Sequence, residues 1–219
     1  MKLFVFSTHP DDAESGCAGL IINCAQAGHP VVIVHCTPGR HERQINHEPE
    51  MDVRRREAQA AAQVMGVQVE VLDYPHGTLA STPEHKKHFR EVFLKHRPDV
   101  FITQWPVDTH PDHRDVGILS LDIFQESQWN IQFYFYEVFT GLQSLHFHPT
   151  HYIDISETYV KKKEAIFCHQ SQKPDKIWET NEIMHKFRGM EAGVERAEGF
   201  IKLERKGTVG KLLPELRKN

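Results

Sequence analysis

Four short apolar runs constrain the fold most: Leu3-Phe4-Val5-Phe6, Val31-Val32-Ile33-Val34-His35-Cys36, Val67 to Leu72, and Asp99-Val100-Phe101-Ile102-Thr103. Each has the length of a strand, and the second is the unbroken β-branched type found in parallel strands covered on both faces. Helical spacing fills the gaps. Glu14 to Ala27 carries Leu20, Ile21, Cys24 and Ala27 at helical intervals and stops at Gly28, while Glu50 to Met65 is Ala-rich in its middle. Pro83 to His96 is basic and amphipathic, with Phe89, Val92 and Phe93 inward. Alternating strands and helices with short connections predict an α/β fold: a doubly wound, Rossmann-like, mostly parallel sheet with helices on both faces. A chain of 219 residues suits a single domain, here with a core to about residue 200.

Further along, Asp115 to Phe124 reads as a helix, aromatic Phe133 to Phe139 as a strand whose end can line a pocket, and Tyr152 to Ile155 as a short strand. Glu157 to Cys168 reads as a helix with a lysine face. Asn181 to Leu203 reads as one long helix, with Ile183, Met184, Phe187, Met190, Val194, Ala197 and Phe200 at helical intervals. Gly207 to Asn219 is expected to be a loosely held tail. Thr37 to Pro49 is expected to be a loop beside the site, with His41 and His47 solvated.

The first run stops abruptly at Ser7-Thr8-His9-Pro10-Asp11-Asp12-Ala13-Glu14. A polar loop at a strand's carboxyl end is where open α/β sheets bind ligands. His9 and Asp12, three apart, can reach one divalent ion; Asp11 between them cannot easily face the same way and stays free for proton transfer. The Asp99 to Thr103 run leads into a second such cluster, Asp108-Thr109-His110-Pro111-Asp112-His113-Arg114. Together the two loops can offer three protein ligands and an open position, the pattern of a hydrolytic zinc centre. Any one of the 16 histidines is more often a packing or surface residue, and His-Pro-Asp alone is turn chemistry. Two copies, each after a predicted strand and each crowded with carboxylates, outweigh that reading.

The first cluster, continued through Ser15-Gly16-Cys17-Ala18-Gly19, resembles the PIG-L/LmbE-like N-acetylglucosamine deacetylases, and the second resembles that family's other signature. The resemblance extends to Arg54-Arg55-Arg56-Glu57 and to His169-Gln170-Ser171-Gln172, and so spans Lys2 to about Phe200. It implies that His9, Asp12 and His113 bind Zn²⁺, in a His₂Asp set that also suits Fe²⁺ or Mn²⁺. It implies that Asp11 is the general base, that His110 steadies the oxyanion as an imidazolium, and that Arg54 contacts substrate. The reaction implied is removal of an N-acetyl group from a small amino-sugar conjugate, by a chain able to form a homo-oligomer. At His76 the sequence departs from the family, which commonly has an acidic residue there. Asp108 and Asp112 read as helix N-caps and stay outside the catalytic set.

Composition trims the other functions. A net charge of -4 argues against nucleic acid and anionic membranes as partners. No apolar stretch approaches the roughly 18 residues of a membrane span, and no signal-peptide core precedes His9, so a cytoplasmic protein is expected. Cys17, Cys24, Cys36 and Cys168 have no Cys-x-x-Cys spacing and read as reduced thiols. The alternatives are a metal-binding protein without turnover and a metallohydrolase acting on another bond. Phosphoester cleavage calls for a second ion about 3.5–4 Å from the first, and the sequence shows no obvious second ligand set.

Overall fold

In the computed structural model, strands run β1 (Leu3–Ser7), β2 (Val31–His35), β3 (Gln44–Ile45), β4 (Glu48–Pro49), β5 (Gln68–Val71), β6 (Val100–Gln104), β7 (Gln132–Tyr136), β8 (His151–Asp154) and β9 (Ala197–Leu203). The helices are α1 (Asp12–Gln26), α2 (Glu50–Met65), α3 (Pro83–His96), α4 (Pro111–Glu126), α5 (Gly141–His146), α6 (Tyr159–Ile166) and α7 (Pro174–Ala192). The described residues are 1–40, 42–139 and 141–204; His41 and the tail expected over 207–219 lie outside them.

Strand β1 divides the molecule. Its Leu3 and Val5 enter one core and its Phe4 and Phe6 the other, because successive side chains of a strand point to opposite faces. The first core lies under α1 and α2, with Ala165 of α6; the second is a phenylalanine cluster under α3 and α4 that includes Phe89, Phe101, Phe124 and Phe133. The seven-stranded sheet has the order β5-β2-β1-β6-β7-β9-β8. Strands β5, β2, β1, β6 and β7 are parallel, β9 runs antiparallel to β7, and β8 antiparallel to β9. The chain builds outward from β1 through β2 to β5, then returns to β1's other side as β6. That reversal opens a crevice at the carboxyl ends of β1 and β6, where both His-Pro-Asp loops lie.

The doubly wound sheet agrees with the expected fold, and three elements differ. The 181–203 segment is not one helix: α7 ends at Ala192, Gly193 takes φ 74°, and Ala197–Leu203 forms β9 between β7 and β8. At Gly189 a Cβ would sit 2.6 Å from the Glu195 carbonyl, so the glycine lets the chain fold back tightly. The apolar repeat misleads because Ile183, Phe187 and Met190 face outward, 67%, 44% and 70% exposed, while α7 buries Trp178, Asn181, His185 and Arg188. Second, α4 begins at Pro111 rather than Asp115, since proline at the first helical position costs no hydrogen bond. Third, the 37–49 segment contains the β3-β4 hairpin. On α6, Lys162 is not solvated: its Nζ donates to Glu198 Oε1 and to the Ser15 carbonyl, both at 2.6 Å.

Candidate metal centre

The loop after β1 turns sharply because Asp11, the N-cap of α1, adopts φ 114° and ψ -26°. A non-glycine residue there costs about 1–3 kcal/mol, so its surroundings must hold it. Its backbone N–H donates to Glu14 Oε2 at 3.2 Å, and Arg54 Nη2 donates to the Pro10 carbonyl at 2.6 Å and lies 3.5 Å from Asp11 Oδ1. Glu14 is itself fully buried, with His169 Nε2 at 3.4 Å and His35 Nε2 at 3.9 Å from its Oε1. Gly16 lets the start of α1 lie on the end of β7, where a Cβ would come within 2.2 Å of the Tyr136 ring.

The bend brings His9 Nδ1 and Asp12 Oδ2 to 3.3 Å, and His113 Nε2 from the first turn of α4 closes the triangle at 3.1 Å and 3.2 Å. Ligands about 2.1 Å from a tetrahedral ion lie about 3.4 Å apart, so these three buried atoms fit one divalent cation. The outer nitrogens are held as well. His113 Nδ1 lies 3.0 Å from Asp108 Oδ2, and His9 Nε2 3.4 Å from Asp112 Oδ2, giving each imidazole the carboxylate that orients a metal-binding histidine. Asp108 is fixed in turn by Gln143 Nε2 at 2.7 Å. Neither aspartate is an N-cap as expected, for His110 takes that position in α4. Their support of His9 and His113 leaves no mark in the sequence, because it depends on side chains meeting across two loops.

Electrostatics separates the neighbouring acids. Burial raises the Asp11 carboxyl, the Arg54 guanidinium pulls it back, and it settles at about 6. Asp12 is also buried, but His113 and His9 hold it well below the ordinary carboxylate range. Burial lowers His113, yet Asp12 and Asp108 overcome that and raise it to about 10, so cation binding must expel a proton from it. His110 differs from the expected imidazolium. Burial, followed by the charges of His9 and His113, lowers it to about 4, and its Nδ1 accepts the Asp112 N–H at 3.2 Å. A neutral ring with its hydrogen on Nε2 results.

A cavity of about 290 Å³ opens beside Asp11 and Asp12, lined also by Ser15, Val138, Phe139, Lys176 and Asn181. The residues after aromatic β7 do line it, as the sequence suggested. Arg54, expected to meet substrate, is 5% exposed and directs its guanidinium at Pro10 and Asp11. The structure also gathers a second ligand set that the sequence did not reveal: His9, His76, His110 and Asp112. His146, His148 and His151 belong to neither set.

Fold and site together define a doubly wound α/β protein with a His₂Asp group able to hold a cation at the point where its strand order reverses. Residues 4–124 match the PIG-L family, described as GlcNAc-PI de-N-acetylase, and the chain belongs to that family. It is 29% identical over 195 residues to diacetylchitobiose deacetylase of Thermococcus kodakarensis, covering 81% of this chain and 72% of that one. It is similar to the structure of N,N'-diacetylchitobiose deacetylase from Pyrococcus horikoshii, with TM-score 0.81, 26% identity, and 92% and 83% of the two chains covered. The 4-carboxy-2-hydroxymuconate hydratase of Pseudomonas putida, at TM-score 0.80 and 21% identity over 96% and 99% of the chains, shares the fold alone. Among the described residues, no helix is long and apolar enough to cross a membrane.

Proposed function

We propose that the chain is a metal-dependent N-deacetylase that releases acetate and a free amine from an N-acetylglucosamine-type conjugate. The observation that carries this reading is Asp11: a carboxylate beside the His9-Asp12-His113 triangle but outside it, raised to about 6, facing a cavity of small-molecule size. A site that only stored metal has no need of a tuned base. The deacetylase relatives support the same reading.

When bound by His9, Asp12 and His113, Zn²⁺ would supply acidity to a water and polarise the amide carbonyl. Asp11 accepts the proton of the attacking water and later delivers it to the departing amine. His110 donates its Nε2 hydrogen to the carbonyl oxygen as negative charge develops there; a neutral imidazole serves as donor without a charge to neutralise. The cavity lined by Val138, Phe139 and Lys176 receives the sugar; Arg54, which does not line that cavity, is proposed to meet the substrate's polar groups beside Asp11.

Acetate release from a panel of N-acetylglucosamine conjugates, assayed before chelation, after it, and after restoring Zn²⁺, Fe²⁺ or Mn²⁺, tests the proposal. Activity should vanish with chelator and return most fully with Zn²⁺. Metal uptake without acetate release from any conjugate would leave a metal-binding protein without turnover.

A further inference from the structure

The second ligand set stands on the opposite side of His9 from the first. While His9 Nδ1 belongs to the first triangle, its Nε2 lies 3.1 Å from His76 Nδ1 and 3.4 Å from Asp112 Oδ2, with His76 Nδ1 and Asp112 Oδ2 3.9 Å apart. One ligand atom from each of His9, His76, His110 and Asp112 lies within 4.8 Å of every other. The 3.9 Å between His76 Nδ1 and Asp112 Oδ2 is near the roughly 3.4 Å edge of a tetrahedral ion site. Asp112 Oδ2 accepts the Gly77 N–H at 2.7 Å, but Asp112 Oδ1, fully buried, has no hydrogen-bond partner among the described residues. Buried polar atoms are seldom left unpaired, and a cation would satisfy that oxygen.

We propose that His76, His110 and Asp112 form a second divalent-cation site, weaker than the first and inhibitory, with His9 as the wall between them. Two imidazoles and a carboxylate select Zn²⁺, Ni²⁺ or Cu²⁺ over Mg²⁺ and Ca²⁺. Weaker binding follows from exposure: His76 and His110 are half-buried, whereas all three first-site ligands are buried. The inhibition, which rests on the deacetylase reading, has two causes. An ion on His110 Nε2 takes the place of the hydrogen that meets the carbonyl oxygen; that hydrogen passes to Nδ1, which gives up the Asp112 N–H bond. An ion on Asp112 withdraws the carboxylate that orients His9.

Titration of the untagged, metal-free chain with Co²⁺, followed through its visible d–d absorption, should show two equivalents, the second at least tenfold weaker. His76→Gln should abolish the second absorbance step and keep the first. With a cleaved conjugate, His76→Gln should also raise the Zn²⁺ concentration for half-inhibition at least tenfold. Uptake of only one equivalent by the unaltered chain overturns the site, as does a second step that survives His76→Gln. Equal Zn²⁺ sensitivity of the two proteins overturns its inhibitory role. Two steps in a protein that hydrolyses no conjugate would sustain the site while the deacetylase reading fails.

Discussion

The two loops at the carboxyl ends of β1 and β6 contain the same tripeptide, His-Pro-Asp, and use it differently. After β1, Pro10 precedes the N-cap, α1 starts at Asp12, and Asp11 is forced to φ 114°. After β6, Pro111 is itself the first residue of α4, and His110 caps it from an ordinary extended conformation, φ -83° and ψ 126°. The helix therefore starts two residues later relative to the tripeptide in the first loop. His9 is left outside its helix with Nδ1 aimed at the cation triangle, whereas Nδ1 of His110 is occupied by the Asp112 N–H. In the second loop the candidate ligand is instead His113, inside the helix. The aspartate after each proline diverges likewise: Asp11 lies outside the triangle, where it is proposed to act as the base, and Asp112 lies against the histidine of the other loop. Helix register, more than motif, assigns each side chain its task.

The strongest way to break this division is Asp11→Asn, which should lower kcat by roughly 10²- to 10⁴-fold while elemental analysis finds the metal retained. Because protonated Asp11 cannot act as a base, the acid limb of kcat/KM should fall as pH drops through about 6 in the unaltered protein. Loss of metal from the variant would make Asp11 a ligand and erase the contrast with Asp12. Next, His110→Ala should cost about 10²- to 10³-fold in kcat. Since Nδ1 of His110 accepts the Asp112 N–H and leaves the ring neutral, the alkaline limb should not move; a displaced alkaline limb would restore the imidazolium.

Glu14 tests the buried brace beneath the strained first loop. Burial raises its carboxyl, but His169 and then His35 bring it down to about 2, below the ordinary 4.5. A depressed carboxyl contributes stability that is complete above pH 4.5 and lost as pH falls toward 2, here on the order of 3 kcal/mol. Glu14→Gln should forfeit a stabilisation of that order at pH 7 and flatten the acid side of the urea-midpoint profile. An unchanged profile would remove Glu14 as the support of the strained turn.

Smaller effects are expected from the outer carboxylates. Asp108→Asn and Asp112→Asn should each weaken zinc affinity about 10- to 100-fold in chelator competition, with equal losses if the two imidazoles are held symmetrically. A loss confined to Asp108→Asn would show that His9 needs no support from the second loop. Arg54→Ala should have the least effect. It should raise KM by less than about tenfold and move the acid limb upward, since the guanidinium proposed to meet substrate also holds Asp11 down. A shifted limb with KM unchanged would leave Arg54 a positioning residue only.

Much of this architecture was legible beforehand where local and tertiary demands agree. Helices Glu50–Met65 and Pro83–His96 begin and end at the expected residues, and β1, β2, β5 and β6 fall within a residue or two of their apolar runs. Strands buried on both faces must be apolar throughout, and that requirement is written directly into the chain. The 181–203 segment failed because its periodicity joined an exposed apolar stripe on α7 to the buried residues of a strand. Nothing local distinguishes Phe187, facing solvent, from Phe200 in the core.

By itself the sequence determined the alternation of strands and helices, and with it the doubly wound sheet and the placing of both His-Pro-Asp loops at strand ends, because hydrophobic period and turn chemistry act over a few residues. Tertiary structure decided the rest. It set the pairing of His113 with Asp108 and of His9 with Asp112, the buried Glu14-His169 contact beneath the strained turn, the neutral state of His110 and the approach of His76 to His9. These contacts join residues as much as 155 positions apart, 169 less 14, and their strength comes from exclusion of water, which a chain acquires only once it has folded.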